Sequence, residues 1–410
     1  MVTGKLLSSL LYVSLWYLKR KVRPVLINRL MNPSILHLSS RPFWCGESNR
    51  VLVVCRGLHS AGWRVLLGTP PDSPLGKKAG QEGIRVDTRF RFPRGLRLWG
   101  LLKDARILRR LYRDGQADIV HLHTSIDTWV AALAFGFCRR GKRPVVIRTR
   151  HSDHVSGSDV VHRWLYRHCI DHVVLSSDAL RAPLSGLFRA GVLTDSRVTV
   201  IHSSVNVERF NPQNVKGDAI RKAFGFAGKF CIGLVGRISP EKGQAALLGV
   251  LPDILKAIPN AVCVFVGEGE HEMLLRSMVE KGALQGAVCF AGFRTDIPEM
   301  MAAMDVVVVP SNRVESSPGV VKEAMAMNKP VIASDVGGVV EIIRHGVDGL
   351  VIPCGDDAAL RDAILTLHRD DSLRNTLASR ARARIVSDFS DACLIANTTN
   401  LYLKWNASCS

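Results

Sequence analysis

Paired cysteines, a membrane span and, in one half of the chain, acidic residues are what this 410-residue sequence is short of. The apolar stretch 6–18, LLSSLLYVSLWYL, falls below the about 20 residues that cross a bilayer. Its cations Lys19, Arg20, Lys21 and Arg23 follow the stretch, and no small-residue cleavage site comes after it, which argues against a secretory signal. The 10 cysteines include no C-x-x-C pair, and no His pair stands at zinc-finger spacing. Several cysteines lie in apolar runs such as KFCIGLVG and AVCVFVG, which points to buried reduced thiols, a reducing cytosol and no structural metal. A Walker G-x-x-x-x-G-K-[ST] run is missing, so the P-loop route to phosphate binding is excluded. Residues 1–200 hold only 13 Asp+Glu against 33 Lys+Arg, whereas residues 201–410 hold 23 against 22. The first half therefore carries the whole excess of a chain whose net charge is +19, and attracts something anionic.

What is present reads as a folded α/β protein. Hydrophobic residues make up 47% and charged residues 22%, which excludes disorder over most of the length. In the first half, ILHLSS (35–40), WRVLLGTP (63–70), DIVHLH (118–123), PVVIRTRH (144–151), HVVLSS (172–177) and VTVIHSS (198–204) read as strands between helical stretches. In the second half CIGLVG, VCVFVG, VCFAG, VVVVP, PVIAS and LVIP are apolar enough for central parallel strands. Such alternation predicts two doubly wound Rossmann-like domains facing a cleft, the default ligand site. The expected division is an N-terminal extension (1–33), a first domain (34–205), a second domain (206–388) and a C-terminal helix (389–410) that crosses back to the first. Two readings of residues 1–30 stand side by side: a segment lying in the membrane interface, or an upstream extension without a role in the fold, since Met31 directly precedes the first strand.

Three loops of the second half carry the chemistry. CIGLVG runs into Arg237-Ile238-Ser239-Pro240-Glu241-Lys242-Gly243 before a helix. Gly236 permits close backbone approach, and Arg237 and Lys242 place two cations beside a helix N-terminus, a combination suited to a diphosphate. After VVVVPS comes Glu315-Ser316-Ser317-Pro318-Gly319, where Ser317 is predicted as N-cap and Pro318 as the first helical residue. Glu315 then lies before the helix and Glu323 on its second turn, where each carboxylate can accept from sugar or ribose hydroxyls. Ser334-Asp335-Val336-Gly337-Gly338 is the third loop. All three follow strands of one sheet and can converge on one ligand.

The set G-R-x-x-x-E-K-G, E-x7-E and D-V-G-G-x-x-E-I resembles the retaining nucleotide-sugar glycosyltransferases of family 4, with the GT-B fold. The linker VIHSSVNVERFNP is similar to that family's interdomain segment, although Ser203-Ser204-Val205-Asn206 departs from the usual N-G-V-D. Pro318 stands where many members have Gly, and Cys45 precedes a single Gly46 where two glycines are usual. The resemblance implies that Arg237 and Lys242 bind the donor diphosphate, that Glu323 holds the ribose and that Glu315 contacts the transferred sugar. Gly46, Gly236 and Gly319 would let backbone approach the donor. It also implies transfer without a divalent metal, because the two cations stabilise the leaving group. No cofactor is expected beyond the nucleotide-sugar donor, with a UDP-sugar ahead of GDP- and ADP-sugars.

For the first half, the resemblance makes His123 the histidine beside the sugar, with His121 assigned to the opposite face. Arg150 and His151 end a strand and are candidates for the acceptor. Around residues 98–113, Leu98, Leu101, Leu102, Ile107, Leu108 and Leu111 are expected to form an apolar face flanked by Lys103, Arg106, Arg109, Arg110 and Arg113. This is either a helix packed on the sheet or a surface that docks on an anionic membrane. Without a zinc finger or RRM signature, nucleic acid is not an expected partner. The expected acceptor is a growing cell-surface glycan, of lipopolysaccharide or exopolysaccharide type, or a glycolipid on the cytoplasmic side of the membrane. The expected location is accordingly cytoplasmic or peripheral on the inner membrane face. Three competing readings are a nucleotide-sugar epimerase of the same fold, a dinucleotide-binding protein resting on Gly267-Glu268-Gly269, and a non-catalytic basic membrane- or RNA-binding protein.

Overall fold

The computed structural model describes residues 33–93, 97–139, 141–151, 160–313 and 315–407. The apolar stretch 6–18 and its following cations lie outside them. Among the described residues, no helix is long and apolar enough to cross a membrane.

Two parallel sheets organise the chain. The first contains β1 (Ile35–Leu38), β2 (Val65–Gly68), β3 (Arg85–Asp87), β4 (Ile119–Leu122), β5 (Val145–Arg150), β6 (His172–Leu175) and β7 (Val198–Val200), in the order β3-β2-β1-β4-β5-β6-β7. The second contains β8 (Phe230–Val235), β9 (Ala261–Val266), β10 (Val288–Gly292), β11 (Val306–Val309), β12 (Val331–Ser334) and β13 (Leu350–Ile352), in the order β10-β9-β8-β11-β12-β13. Every pairing within these sheets is parallel. The Val- and Ile-rich strands β8, β9, β11 and β12 are buried along their whole length, because helices cover both faces. The strand β3 was missed in the sequence. Its three residues RVD form an edge without an apolar run.

In both sheets strand order reverses once, between β1 and β4 and between β8 and β11. At such a reversal the connecting helices leave to opposite faces and open a crevice at the strand C-termini. The two crevices hold residues singled out above: His123 at the first, and Arg237, Lys242 and Glu315 at the second.

The chain passes between domains twice. Val205 pairs with Ser390 in an isolated parallel bridge, and its N–H donates to Phe389 O (2.9 Å). The helix Asp391–Ala407 then packs on the helix Gly46–Ser60, and its Leu394, Leu401 and Tyr402 complete the first-domain core. Gly57 permits this approach, since a Cβ there would lie 2.3 Å from Ile395 Cδ1. In the helix Leu98–Arg113 the expected apolar face is partly corrected. Leu101, Leu108 and Leu111 are buried, but Leu98 is exposed at the first turn. Arg109, on the exposed side, reaches across and donates to Ala134 O (2.6 Å) and Leu133 O (3.1 Å) at the end of the neighbouring helix Ser125–Phe135.

Candidate functional site

The second-domain crevice assembles all three motif loops. After β8, Gly236 (φ 148°) leads to Arg237 and the turn Pro240–Lys242, and Gly243 takes a left-handed conformation (φ 76°) before the helix Gln244–Ala257. A Cβ at Gly243 would stand 2.0 Å from Pro310 O, so the loop after β11 runs directly over it. Asn312 N donates to Glu241 O (3.0 Å) between the same loops. Lys242 Nζ donates to Glu315 Oε1, which also accepts from Ser311 Oγ (3.1 Å). Arg237 pairs with Glu241. Each expected diphosphate cation thus has a carboxylate partner. The third loop supports Glu315 through its backbone. Gly338 N donates to Glu315 O (2.7 Å), and a Cβ on Gly337 (φ 56°) would meet that oxygen at 2.5 Å.

The Gly267-Glu268-Gly269 run has a packing role of its own. Ile238 N donates to Glu268 O (2.9 Å), and Cβ atoms at Gly267 and Gly269 would stand 2.1 Å from Gly236 O and 2.0 Å from Ile238 O. These glycines let the loop after β9 lie against the Arg237 loop.

The helix Gly319–Ala326 starts differently from the sequence expectation. Pro318 occupies the cap and Gly319 is the first helical residue. Ser317 does not cap, because its hydroxyl is engaged by Lys322 Nζ (2.9 Å) and Ser203 Oγ (2.9 Å). Lys322 is fully buried and also donates to Ser203 O (2.7 Å). Burial above all, with Arg50 adding repulsion and Glu323 opposing, depresses its ammonium to about 7. Burial raises the Glu323 carboxyl from its ordinary range, against the pull of Arg209 and Lys322.

A cavity of about 590 Å³ lies between the domains. Of the expected residues, Gly46, Gly319 and Glu323 border it, whereas Gly236, Arg237, Lys242 and Glu315 do not. Two arginines that the sequence reading passed over also border it. Arg50 is 5% exposed, with its Nη1 unpartnered among the described residues and its guanidinium lowered to about 10 by burial. Arg209 donates to Thr295 O (3.1 Å). A charged residue inside the run NRVLVV was the available signal for Arg50; for Arg209 it was its place in the linker VIHSSVNVERFNP.

His123 borders a second cavity, of about 770 Å³, in the first domain, together with Arg150 and His151. The assignment of His121 to the opposite face is corrected: residues i and i+2 of a strand share a face, and the rings of His121 and His123 stack at 4.6 Å. His123 Nε2 is 3.0 Å from His37 Nδ1, and His123 Nδ1 is 3.4 Å from His151 Nε2. His121 bonds the hydroxyls of Tyr402 and Thr149. Burial drives His37, His121, His123 and His151 well below the ordinary imidazole range, so all four are neutral at pH 7. One ring nitrogen each from His37, His121 and His123 falls within 4.8 Å of the others, a donor set of the kind that takes a divalent ion. Those rings already hydrogen-bond one another and nearby hydroxyls, and a metal would have to displace these bonds.

The domains touch through polar contacts around the cleft. Ser316 Oγ donates to His151 O (2.7 Å). Glu341 accepts from Ser177 Oγ (2.6 Å), Asp178 N (2.8 Å) and Ala179 N (3.0 Å). A Cβ on Gly338 would meet Ser177 Oγ at 2.7 Å, so glycine permits this closure.

Two parallel-sheet domains with ligand loops facing one another define the GT-B class of nucleotide-sugar enzymes. The description "Glycosyl transferases group 1" matches residues 217–384, and "Glycosyl transferase 4-like domain" matches residues 46–203. The chain is 31% identical to EpsD of Bacillus subtilis over 311 residues, covering 72% of this chain and 79% of that protein. It is 27% identical over 319 residues to the UDP-Gal:alpha-D-GlcNAc-diphosphoundecaprenol alpha-1,3-galactosyltransferase of Escherichia coli, covering 74% and 80%. In fold it is similar to HepE of Anabaena, solved in complex with UDP, with a TM-score of 0.76, 24% identity and coverage of 90% and 99%. The chain belongs to the group 1 glycosyl transferases, glycosyltransferase family 4, and is a retaining hexosyltransferase.

Proposed function

We propose that this glycosyltransferase takes a UDP-sugar in the interdomain cleft and passes the sugar, with retention, to a cell-surface glycan or glycolipid acceptor held by the first domain. The Lys242–Glu315 pair at the second crevice carries this reading. Here Lys242 and Arg237 meet the donor diphosphate, and the incoming phosphates take over the role that Glu315 and Glu241 play toward these cations. Glu315 is then released to accept from a sugar hydroxyl, while Glu323 accepts from the ribose. Arg50 and Arg209 add positive charge to the cleft. Charge on the leaving diphosphate is thereby stabilised by fixed groups, the largest single contribution in many transfer reactions. His123, neutral through burial, turns its Nδ1 from the 3.4 Å contact with His151 to one hydrogen bond at the sugar. Gly46, Gly236 and Gly319 leave room for backbone approach; a Cβ on Gly46 or Gly236 would meet nothing within 4 Å among the described residues.

No protein nucleophile is required. The acceptor hydroxyl attacks the anomeric carbon on the face that the diphosphate leaves, and the departing phosphate oxygen receives the hydroxyl proton. The family relatives support a sugar donor of this kind, since the E. coli protein is named for UDP-Gal and HepE was solved with UDP. The basic first half adds a membrane-side acceptor to the reading: Leu98 and Trp99 are exposed beside Arg97 and Lys103, a composition suited to an anionic interface.

A thermal-shift series with UDP, GDP and ADP tests the donor assignment, because a ligand that binds only the folded state raises its melting temperature. UDP is expected to stabilise most. A larger shift with GDP or ADP would overturn the choice of base.

A further inference from the structure

The first-domain cavity has a charge pattern that the donor does not use. Arg41, Arg91, Arg97, Arg148 and Arg150 border it, and the only acid among its described lining residues is Glu47. The strand β5 explains the pair at its centre. Residues 148 and 150 share one face at the C-terminal end of the strand, where the chain enters the crevice. Arg148 is 5% exposed and lies over the Tyr166 ring (5.6 Å to the centroid). Its Nε is buried without a hydrogen-bond partner, and no ion pair holds its guanidinium among the described residues. Glu47 is already paired with Arg41 (3.0 Å), and burial raises its carboxyl to about 7, so it offsets little of the positive charge. Asp127, beneath the pocket, is occupied by the N–H groups of His123 (2.9 Å) and Thr124 (2.7 Å). An unpaired buried guanidinium costs the fold stability and is tolerated where a ligand anion completes it.

We propose that this cavity is a phosphate site for the acceptor, binding a phosphate or diphosphate group that the acceptor carries. The inference rests on the transferase reading above and specifies its acceptor. A carboxylate is saturated by one bidentate arginine, whereas a phosphate or diphosphate has oxygens enough for several forks at once. With about 770 Å³, the cavity has room for such a group and an attached sugar. Position links it to transfer: His123 borders the same cavity, and Glu47 borders both this cavity and the interdomain one. An acceptor anchored by phosphate at Arg148 therefore has its sugar next to the cleft where the donor lies.

The test uses the full chain with UDP at saturation, so that the second-domain phosphate site is filled, and titrates inorganic pyrophosphate by calorimetry. Pyrophosphate is expected to bind in addition to UDP. Arg148→Gln is expected to weaken it about tenfold or more, the scale of one charge-assisted hydrogen bond, and to leave UDP affinity unchanged. Arg97→Gln, at the exposed rim, is expected to weaken it several-fold and keeps the test open if Arg148→Gln fails to fold. Methyl glucoside, which has no charge, should show no dependence on either arginine. Farnesyl diphosphate and N-acetylglucosamine 1-phosphate separate the sources: tighter binding of the first assigns the group to a lipid-linked acceptor, and of the second to a soluble sugar phosphate. Pyrophosphate that fails to bind over UDP, or binds both variants as well as the parent chain, overturns the proposal. Failure of UDP to bind would overturn the donor reading alone, since the arginine variants still report on this cavity.

Discussion

Lys242 and Glu315 stand 73 residues apart, in loops that follow β8 and β11, and form one ion pair at the point where strand order reverses. The same carboxylate oxygen accepts from Ser311, and the Glu315 backbone is held by Gly338. In the proposed reading, the cation that meets the diphosphate is thus pre-positioned by the acid that meets the sugar.

Removing either partner should separate binding from transfer. Lys242→Met is expected to lower sugar transfer about 10²–10³-fold, the scale of one lost electrostatic contact in a transition state. Glu315→Ala is expected to abolish transfer while the melting temperature stays near that of the parent chain. Transfer rates with a radiolabelled UDP-sugar check both, and unaltered transfer in Glu315→Ala would sink the site assignment.

Gly243 tests the loop crossing. Its φ of 76° and the 2.0 Å approach of a Cβ to Pro310 O leave no space for a side chain. Gly243→Ala should cost about 1–3 kcal/mol of stability and displace the Lys242 turn. Denaturant melts should show the loss, together with weaker UDP binding.

Lys322 makes stability depend on pH in a particular direction. Its ammonium is depressed to about 7 by burial, while in the unfolded chain it titrates near the ordinary lysine value. Between these two points the unfolded state holds more protons, so stability rises with pH. Compared with Lys322→Met, the parent chain should therefore gain melting temperature as pH rises from neutral into the alkaline range. A parent-minus-variant difference in melting temperature that falls as pH rises over that range would contradict the assignment.

Tyr402 anchors the returning C-terminal helix. Its hydroxyl meets His121 Nδ1 and lies 3.3 Å from His37 Nε2. Tyr402→Phe leaves buried imidazole nitrogens without their partner and should cost about 1–3 kcal/mol. Thermal melts read this loss, and hydrogen exchange should locate the loosened region at residues 391–407.

Much of the fold was legible because parallel strands advertise themselves. Runs such as VVVV at 306–309 are apolar on both faces, and glycine or polar loops end them. Elements with weak local signals were not legible: β3 is three residues long, and the cap before Gly319 is Pro318 because Ser317 is held by Lys322 and Ser203. A hydroxyl that finds a partner 114 residues away no longer caps its own helix.

By itself the sequence determined two doubly wound domains and the positions of Arg237, Lys242, Glu315 and Glu323, since strand-end loops have local spacing and local chemistry. Only the tertiary structure decided which charges meet. It paired Lys242 with Glu315, left Arg50 Nη1 and Arg148 Nε buried without partners among the described residues, and stacked His121 on His123. Electrostatic interaction depends on distance and burial, and both are set by packing between segments far apart in the chain.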